Sequence, residues 1–311
     1  MSFPHRALLI GCGNIGALYD LNNEQVLTHA KGYFLNPQFS LTVYDTNTDL
    51  AKTISEKYDA KLLTSISPYE INRYDCISIC TPASTHFSFL DQCFDAGCKV
   101  ILCEKPVSYS SAELEALMNK YSASSCKVLV NYIRRFQPAY IDLKEKISEI
   151  KNKEQLMNIK IRYHRGFINN CGHALDLLEF LLSKKINFTS IQKYNIYYDF
   201  SESDPTLSLK ALWEDTAIEI TGLTGLSQPI FEVELLFANT VISITESGNK
   251  ITIFRKNSSF LVPLTLVENS LKNYMAPVIQ HIHNLLTGKE HEDNFQGAVA
   301  LNQKMLSIVN N

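Results

Sequence analysis

A glycine-rich turn near the N-terminus is the first segment of the chain that could do chemistry. An apolar run, Ala7 to Ile10, leads directly into Gly11-Cys12-Gly13-Asn14-Ile15-Gly16, which opens a predicted helix. In this context Gly11 allows a tight turn, Gly13 lets the backbone approach a pyrophosphate, and Gly16 lets the helix pack closely on the sheet. The helix N-terminus then faces the negative charge. The alternative is an ordinary glycine-rich βα turn, against which the strand-to-helix placement argues.

The second predicted strand ends in a carboxylate, Asp45. At that place an acid accepts hydrogen bonds from the adenosine ribose hydroxyls and repels a 2′-phosphate. Thr46 and Asn47 do not supply the arginine that would favour a phosphorylated ribose, so the sequence predicts NAD over NADP. Asp45 lies 29 residues after Gly16, whereas the motif usually has about 20. This excess predicts an insertion around Asp20 to Leu27.

The loops after the fourth and fifth predicted strands hold the next candidates, Thr81-Pro82 and Glu104-Lys105-Pro106. In a doubly wound sheet, ligands bind beyond the carboxyl ends of the strands. Lys105 leaves a buried strand, and its ammonium group would lower the pKa of a nearby substrate hydroxyl and stabilise a developing alkoxide. From the local sequence alone, a surface lysine in a turn fits equally well.

A second polar segment, Arg165 to Leu178, contains a histidine and a carboxylate at helical spacing. If His173 lies in the first turn of a helix, Asp176 falls on the same face. A helix N-terminus favours a neutral imidazole, which suits a general base that takes a hydroxyl proton near pH 7. By itself, a histidine or asparagine that caps the helix is the simpler interpretation.

The elements that must position these residues change character near Pro138. From Arg6 to about Tyr132, short apolar runs alternate with amphipathic stretches, as in βαβ units that form a doubly wound parallel sheet. Beyond Pro138, two-residue alternation predicts antiparallel strands with one polar face: Ile191–Phe200, Ala217–Ile220, Phe231–Phe237, Val241–Glu246 and Ile251–Arg255. We therefore predict an α/β protein with a dinucleotide-binding domain over 1–133 and a substrate-binding domain over 134–311, whose last helices could pack back on the first.

Composition and charge exclude several classes of function. The 311 residues carry 29 Lys and Arg against 32 Asp and Glu, and no basic stripe, so nucleic acid is not an expected partner. Apolar runs are far shorter than the roughly 20 residues of a membrane span. No leader peptide is visible, so we expect a cytoplasmic protein. The eight cysteines include no CxxC pair and are interpreted as buried thiols, so no metal site is expected.

Five segments resemble the Gfo/Idh/MocA family of glucose-fructose oxidoreductase-like and inositol dehydrogenase-like enzymes. They are GCGNIG at 11–16, ICTPASTHFSF at 79–89, AGCKVILCEKPV at 96–107, NYIRRFQPAY at 131–140 and GHALDLL at 172–178. The resemblance runs nearly end to end, and Glu-Lys-Pro after the fifth strand is the family's signature. It implies a Rossmann domain joined to an α+β domain with a large open, mostly antiparallel sheet. Such a sheet is often used for oligomer contacts, so we expect a homodimer or homotetramer.

The resemblance also implies roles for individual residues. Lys105 is the implied active-site lysine and His173 the implied acid/base, with Asp176 near the substrate hydroxyls and Asn169 and Arg165 as further substrate contacts. The implied cofactor contacts are Gly11, Gly13, Asn14, Ile15, Gly16, Asp45, Thr81, Pro82, His86, Glu104 and Lys105. The expected activity is reversible NAD-dependent oxidation of a secondary alcohol on a sugar, sugar derivative or cyclitol. Residues 163–166, Tyr-His-Arg-Gly, resemble members associated with bacterial surface-polysaccharide sugars.

One departure from the family pattern bears on the mechanism. Many members carry aspartate four residues before the histidine, where this chain has Asn169. Asparagine cannot accept a proton, but it still orients a hydroxyl or an imidazole. Two alternatives therefore stay open. One is a non-catalytic NAD-binding sensor or regulator, and the other is an enzyme of the same fold that acts on an aromatic diol or an imine-bearing compound.

Overall fold

The computed structural model describes residues 4–257 and 260–311. Met1–Phe3, where the expectation of an absent leader begins, lie outside these ranges, as do residues 258 and 259. The chain separates into two compact units. Unit 1 runs up to Phe136 and includes Lys272–Gln303, and unit 2 comprises Gln137–Leu271 and Lys304–Asn311.

Unit 1 contains a parallel sheet of six strands: β1 (His5–Ile10), β2 (Phe39–Tyr44), β3 (Lys61–Leu62), β4 (Cys76–Ile79), β5 (Val100–Cys103) and β6 (Lys127–Val130). Their order in the sheet is β3-β2-β1-β4-β5-β6, the order of a dinucleotide-binding Rossmann fold. The strand order reverses between β1 and β4, and ligands bind at such a switch point. β4 and β5 are buried along their whole length, as parallel strands covered by helices on both faces must be.

Unit 2 contains a sheet of eight strands: β7 (Leu156–His164), β8 (Phe188–Ser201), β9 (Asp204–Trp213), β10 (Thr216–Leu223), β11 (Phe231–Phe237), β12 (Thr240–Thr245), β13 (Lys250–Lys256) and β14 (Leu261–Val267). The order is β14-β13-β12-β11-β7-β10-β9-β8. Neighbouring strands are antiparallel except β7 and β10, which are parallel. The predicted fold class, a Rossmann sheet plus a large, mostly antiparallel sheet, is confirmed.

The helices alternate with the strands in unit 1 and are fewer in unit 2: α1 (His29–Phe34), α2 (Thr48–Lys57), α3 (Pro68–Ile71), α4 (His86–Asp95), α5 (Ser111–Ser122), α6 (Pro138–Lys151), α7 (Gly172–Leu182), α8 (Met275–Leu286) and α9 (Phe295–Asn310). Side-chain caps fix several of their starts. The Asn47 side chain accepts from Leu50 N before α2, and the Ser110 hydroxyl accepts from Glu113 N before α5. The division between the two units falls inside α9.

Three strands of unit 2, β7, β9 and β14, lie outside the five segments that the alternation pattern predicts. β9 begins Asp204-Pro205, and β14 contains Pro263. Proline within a sheet is confined to edge strands, strand starts and bulges. A segment that contains proline is therefore not predicted as a strand, and the sequence pattern misses β9 and β14. The parallel pairing of β10 with β7 also differs from the antiparallel arrangement expected for Ala217–Ile220.

The described cysteines are free, buried thiols throughout, and Cys171 beside the predicted active-site histidine is fully buried. Burial raises the pKa of Cys171 well above that of an ordinary thiol. Among residues 4–257 and 260–311, no cluster of His, Cys, Asp and Glu is arranged to hold a metal ion. In the same part of the chain, no helix combines the length and the apolarity that a membrane span requires.

Candidate active site

The glycine loop joins β1 to a single helical turn, Asn14–Leu18. A Cβ added at Gly16 would overlap Gly11 O, so only glycine allows the turn to approach the loop this closely. A Cβ added at Gly13 would meet no atom of the described chain within 4 Å. The Gly16 side of the loop is therefore packed, while the Gly13 side is open, as the approach of a pyrophosphate requires.

The carboxylate of Asp45 is tied to the glycine loop. One oxygen accepts a hydrogen bond from Cys12 N at 2.7 Å and the other from Asn47 N at 2.8 Å. Each carboxylate oxygen has a second lone pair that can accept from a hydroxyl. The two main-chain donors hold the half-buried Asp45 at the end of β2, beside the loop.

His86 links the two loops that follow β4 and β5. Its Nδ1 lies 2.8 Å from Pro106 O and its Nε2 lies 2.9 Å from Thr81 O. Burial lowers the pKa of His86 below that of a free histidine, although the two carbonyl oxygens oppose this effect. Through this ring, Thr81 and the Glu104-Lys105-Pro106 segment are held at the same edge of the sheet. The Lys105–Pro106 peptide bond is cis.

Glu104 is buried, and its side chain is held by two residues that are absent from the set predicted from sequence. Its Oε1 lies 2.9 Å from His29 Nε2 and accepts from Asn131 Nδ2 at 2.5 Å. Burial alone would raise the pKa of Glu104, but the hydrogen bonds from His29 and Asn131 and the charges of His29 and Lys105 hold it below its ordinary value. Glu104 is thus a buried anion next to the half-buried Lys105.

The remaining candidates lie in unit 2, on one stretch of helical backbone. A single π turn, Phe167–Cys171, runs directly into α7, because Cys171 and Gly172 both have right-handed helical dihedral angles. The helical backbone therefore begins at Phe167, and His173 lies more than one turn beyond that start. His173 lies in the first turn of α7, as predicted, and the π turn before it was not predicted.

Asp204, at the start of β9, holds the beginning of this helical stretch. Its carboxylate, fully buried, accepts from Ile168 N at 2.7 Å and from Asn169 N at 2.8 Å. The hydroxyl of Thr206 accepts from Gly166 N at 2.9 Å. Gly166 has φ +85°, and a Cβ there would lie 2.5 Å from Asp204 Oδ2, so glycine is required at this bend. A carboxylate on a neighbouring strand thus sets the position of Asn169.

The predicted substrate residues of unit 2 differ in exposure. Arg165 is exposed, has a left-handed φ of 63°, and its guanidinium lies 5.8 Å from the centre of the Phe200 ring. Asn169 is half-buried, and its side-chain amide donates to Arg165 O at 3.2 Å. His173 is half-buried, whereas Asp176, three residues later on α7, is 2% exposed.

Comparison with known proteins agrees with this arrangement. Residues 5–132 match the model of the GFO_IDH_MocA oxidoreductase family, described as an NAD-binding Rossmann fold. The matched segment includes the glycine loop, Asp45, Glu104, Lys105 and Asn131. By this match, segment 5–132 is identified with the NAD-binding domain of Gfo/Idh/MocA oxidoreductases.

One curated protein is similar to part of this chain in sequence, and two solved structures are similar to it in fold. The inositol 2-dehydrogenase of Rhizobium meliloti is 28% identical over 142 residues, which cover 45% of this chain and 40% of that protein. UDP-N-acetylglucosamine 3-dehydrogenase of Acidithiobacillus ferrooxidans has a TM-score of 0.76 at 17% identity, covering 99% of this chain and 96% of that chain. The super-repressor mutant of Gal80p from Saccharomyces cerevisiae has a TM-score of 0.78 at 12% identity, with coverage of 99% and 95%.

Three residues that contact candidate site residues were not predicted. His29 follows the polar insertion, Asn131 lies inside the NYIRRF segment, and Asp204 belongs to a Ser-Glu-Ser-Asp-Pro run typical of a turn. Asn131 is part of a segment that carries the family resemblance, so a signal for it was present. His29 and Asp204 act across the fold, 75 and 35 residues from their partners Glu104 and Asn169, so local sequence gives no signal for them.

Two alanine substitutions in the glycine loop should separate stability from cofactor binding. Gly16→Ala forces a Cβ into Gly11 O, and we expect it to lower the free energy of unfolding by about 1–3 kcal/mol. Gly13→Ala, the matched control, enters open space and should leave stability unchanged while weakening NAD binding. Chemical denaturation and a titration with NAD measure the two effects. Equal stability of both variants would contradict the close packing of the loop at Gly16.

Asp204→Asn should destabilise unit 2 and disturb the segment that carries Asn169. The amide keeps one acceptor oxygen but presents an N–H group to a main-chain donor, so we expect a loss of about 1–3 kcal/mol in the free energy of unfolding. Asp215→Asn, in an exposed turn of the same unit, is the matched control and should change nothing. If denaturation curves of the two variants coincide, Asp204 does not hold the segment as described.

Proposed function

We propose that this protein is an NAD-dependent dehydrogenase that interconverts a secondary alcohol and a ketone on a sugar, sugar derivative or cyclitol. The observation that carries the proposal is the place of Lys105, directly after β5 in the sheet whose switch point holds the glycine loop. The inositol and UDP-N-acetylglucosamine dehydrogenases among the relatives support this class of substrate.

The cofactor is assigned to the edge of the Rossmann sheet in unit 1. The open side of Gly13 suits a pyrophosphate, and the free lone pairs of Asp45 suit the ribose hydroxyls. The Asp45 charge disfavours a 2′-phosphate, so NAD is proposed over NADP. We assign the surrounding contacts to Gly11, Asn14, Ile15, Gly16, Thr81, Pro82, His86, Glu104 and Lys105. Because both ring nitrogens of His86 already face carbonyl oxygens, its contribution is to hold the two loops together.

In the reaction we propose, the alcohol loses two hydrogens by different routes: a hydride from carbon and a proton from the hydroxyl group. Bound NAD supplies an acceptor for the hydride at C4 of its nicotinamide ring. A ring nitrogen of His173 takes the hydroxyl proton, and the ammonium group of Lys105 stabilises the negative charge that develops on the substrate oxygen. The carbon that loses the hydride becomes the carbonyl carbon, and the reverse sequence reduces a ketone.

The polar residues around His173 are assigned to alignment of the substrate. Asn169 replaces the aspartate of many family members and cannot take a proton, so His173 is the only proton acceptor that we assign in unit 2. Asn169 and the exposed Arg165 would contact neighbouring hydroxyls or an anionic substituent, such as those of surface-polysaccharide sugars. Asp176 lies on the His173 face of α7 and would orient groups close to the reacting hydroxyl.

The proposal extends to the organisation of the protein. We propose that residues 1–133 bind the cofactor and that residues 134–311 hold the substrate and form a homodimer or homotetramer through the large sheet. Exposed apolar side chains on the edge strands, such as Tyr198 on β8 and Leu264 on β14, support an interface there. The eight free thiols support a reducing compartment such as the cytoplasm.

A second candidate is a non-catalytic NAD-binding sensor or regulator. Asn169 in place of a carboxylate favours it, as does the similarity of fold to Gal80p, whose solved form is a super-repressor mutant. The two candidates differ in turnover. A sensor binds NAD and a sugar without any increase in reduced nicotinamide, whereas the dehydrogenase produces reduced nicotinamide with at least one class of polyol.

Lys105→Met should abolish most turnover while leaving NAD bound. Because the ammonium group stabilises charge that develops only in the transition state, we expect kcat to fall by about 10²–10³-fold with little change in NAD affinity. Lys52→Met, on the exposed side of α2, is the control and should keep full activity. The assay follows reduced-nicotinamide absorbance with sugars, sugar nucleotides and cyclitols. Full turnover by Lys105→Met would overturn the assigned role.

The double variant Asp45→Ser/Thr46→Arg should bind NADP better than the wild type does. It removes the charge that repels a 2′-phosphate and adds a guanidinium that pairs with it, so the ratio of NADP to NAD affinity should rise by about tenfold or more. Thr46→Arg alone keeps Asp45 and should change the ratio much less. Thermal shifts with each cofactor give the two affinities. An unchanged ratio in the double variant would remove Asp45 from the ribose site.

A further inference from the structure

The insertion after the glycine loop folds around a single carboxylate. Asp20 is fully buried, and one of its oxygens accepts from Leu27 N at 2.6 Å and from Thr28 N at 2.8 Å. Its other oxygen accepts from the Thr28 hydroxyl at 2.7 Å. Thr28 in turn caps α1 by accepting from Lys31 N. The insertion therefore fixes the start of α1, and with it the position of His29.

Three elements of unit 1 converge on one oxygen of Glu104. His29 comes from α1, Asn131 follows β6, and Glu104 follows β5. His29 and Asn131 are 0% and 1% exposed. Asn131 is fixed by its own main chain, because its N–H donates to Cys103 O at 2.9 Å. The network is therefore largely shielded from solvent, and Glu104 lies one residue before Lys105.

Few of the titratable groups that face Glu104 can carry a positive charge to balance its negative one. Burial raises the pKa values of Cys80, Cys103 and Tyr274, so these groups are neutral near pH 7. His29 and Lys105 also face Glu104, and His86 faces both Glu104 and Lys105 from the adjacent loop. Burial lowers the pKa of His86, while its two carbonyl partners oppose this effect. A buried anion requires donors and a counter-charge, and the charges of His29 and Lys105 are the ones that lower the pKa of Glu104.

The network also contains buried polar atoms that are left unpaired. Within the described part of the chain, His29 Nδ1 and Asn131 Oδ1 have no hydrogen-bond partner. Unpaired buried polar atoms destabilise the folded protein, and apolar side chains of similar size would avoid that loss of stability. Stability alone therefore does not explain why histidine and asparagine occupy positions 29 and 131. A requirement for hydrogen-bond donors to Glu104 does explain it.

We propose that His29 is a positioning residue that acts through Glu104 on Lys105. With Asn131, it holds the Glu104 side chain in place as an anion, and this anion keeps the neighbouring Lys105 in its ammonium form and in position. The proposal rests on the role assigned to Lys105 above. The proposal also accounts for the long spacing between the glycine loop and Asp45. Residues 20–27 fix the start of α1, and this brings His29 to the end of β5.

The direct test is the reactivity of Lys105 itself, measured on the full chain without added cofactor. An amine-acylating reagent modifies lysines in their neutral form, and mass spectrometry of the digested protein gives the extent at Lys105 against pH. Lys52, exposed on α2, is the internal reference. This readout needs neither substrate nor turnover, so it is independent of the proposed activity.

Three variants give the expected pattern. His29→Leu removes a donor to Glu104, and Glu104→Gln removes the charge, so each should lower the midpoint of Lys105 acylation by about one pH unit. His29→Gln places an amide N–H where Nε2–H was and should restore most of the wild-type midpoint. His291→Leu, at an exposed site of the same unit, is the matched control and should have the wild-type midpoint.

The outcomes separate this inference from the proposed function. An unchanged Lys105 midpoint in both His29→Leu and Glu104→Gln overturns the inference, as does an equal shift in His291→Leu. If His29→Leu does not fold, the acylation midpoints of Glu104→Gln and His29→Gln still test the inference, because both substitutions keep the shape of the site. A full midpoint shift combined with full turnover by Lys105→Met would sustain the coupling and reject the catalytic role. Unchanged midpoints with an inactive Lys105→Met would reject the coupling alone.

Discussion

Six parallel strands that end at one edge of a sheet bring together loops that are far apart in the chain. In this protein the glycine loop, Asp45, Thr81, Glu104 and Asn131 all follow such strands. The right-handed crossovers of a doubly wound sheet leave this edge uncovered at the switch point between β1 and β4. The candidate cofactor site is a consequence of that topology, and each loop has only to supply the correct side chain.

Carboxylates bound to main-chain N–H groups give the loops their shape. Asp45 binds the glycine loop, Asp20 binds the insertion, and Asp204 binds the turn before α7. Each accepts from two main-chain donors, which are otherwise left unpaired at turns and helix starts. Hydrogen bonds to an ionised acceptor are stronger than those between neutral groups. Short-range order in the site therefore comes from fixed charge more than from apolar packing.

The same device explains how a buried anion is tolerated near Lys105. Glu104 is buried as an anion because His29 and Asn131 donate to it and Lys105 supplies positive charge. The loss of any member of such a network destabilises the folded protein, because the remaining buried charge is then uncompensated. In the mechanism proposed above, it would also fix the electrostatic environment of Lys105 in advance, so that little reorganisation would be needed when charge develops on a substrate.

The sequence by itself determined the fold class, the glycine loop, the carboxylate after β2 and the lysine after β5. These features follow from local patterns: apolar periodicity, glycines after a strand, and the Glu-Lys-Pro segment. Proline at the start of β9 and inside β14 concealed two strands, because the pattern assigns proline to edges and turns. The true start of the helical stretch that carries His173 was also concealed, since no side chain within it signals the preceding turn.

Only the tertiary structure decided which distant residues hold the site. His29 meets Glu104 across 75 residues, and Asp204 meets Asn169 across 35. Such contacts depend on strand order and register, which periodicity does not specify, because a periodic pattern says which face of an element is buried and not which element covers it. The chemistry of single residues could therefore be predicted from the sequence. The contacts that position those residues, such as His29 with Glu104 and Asp204 with Asn169, were decided by the fold.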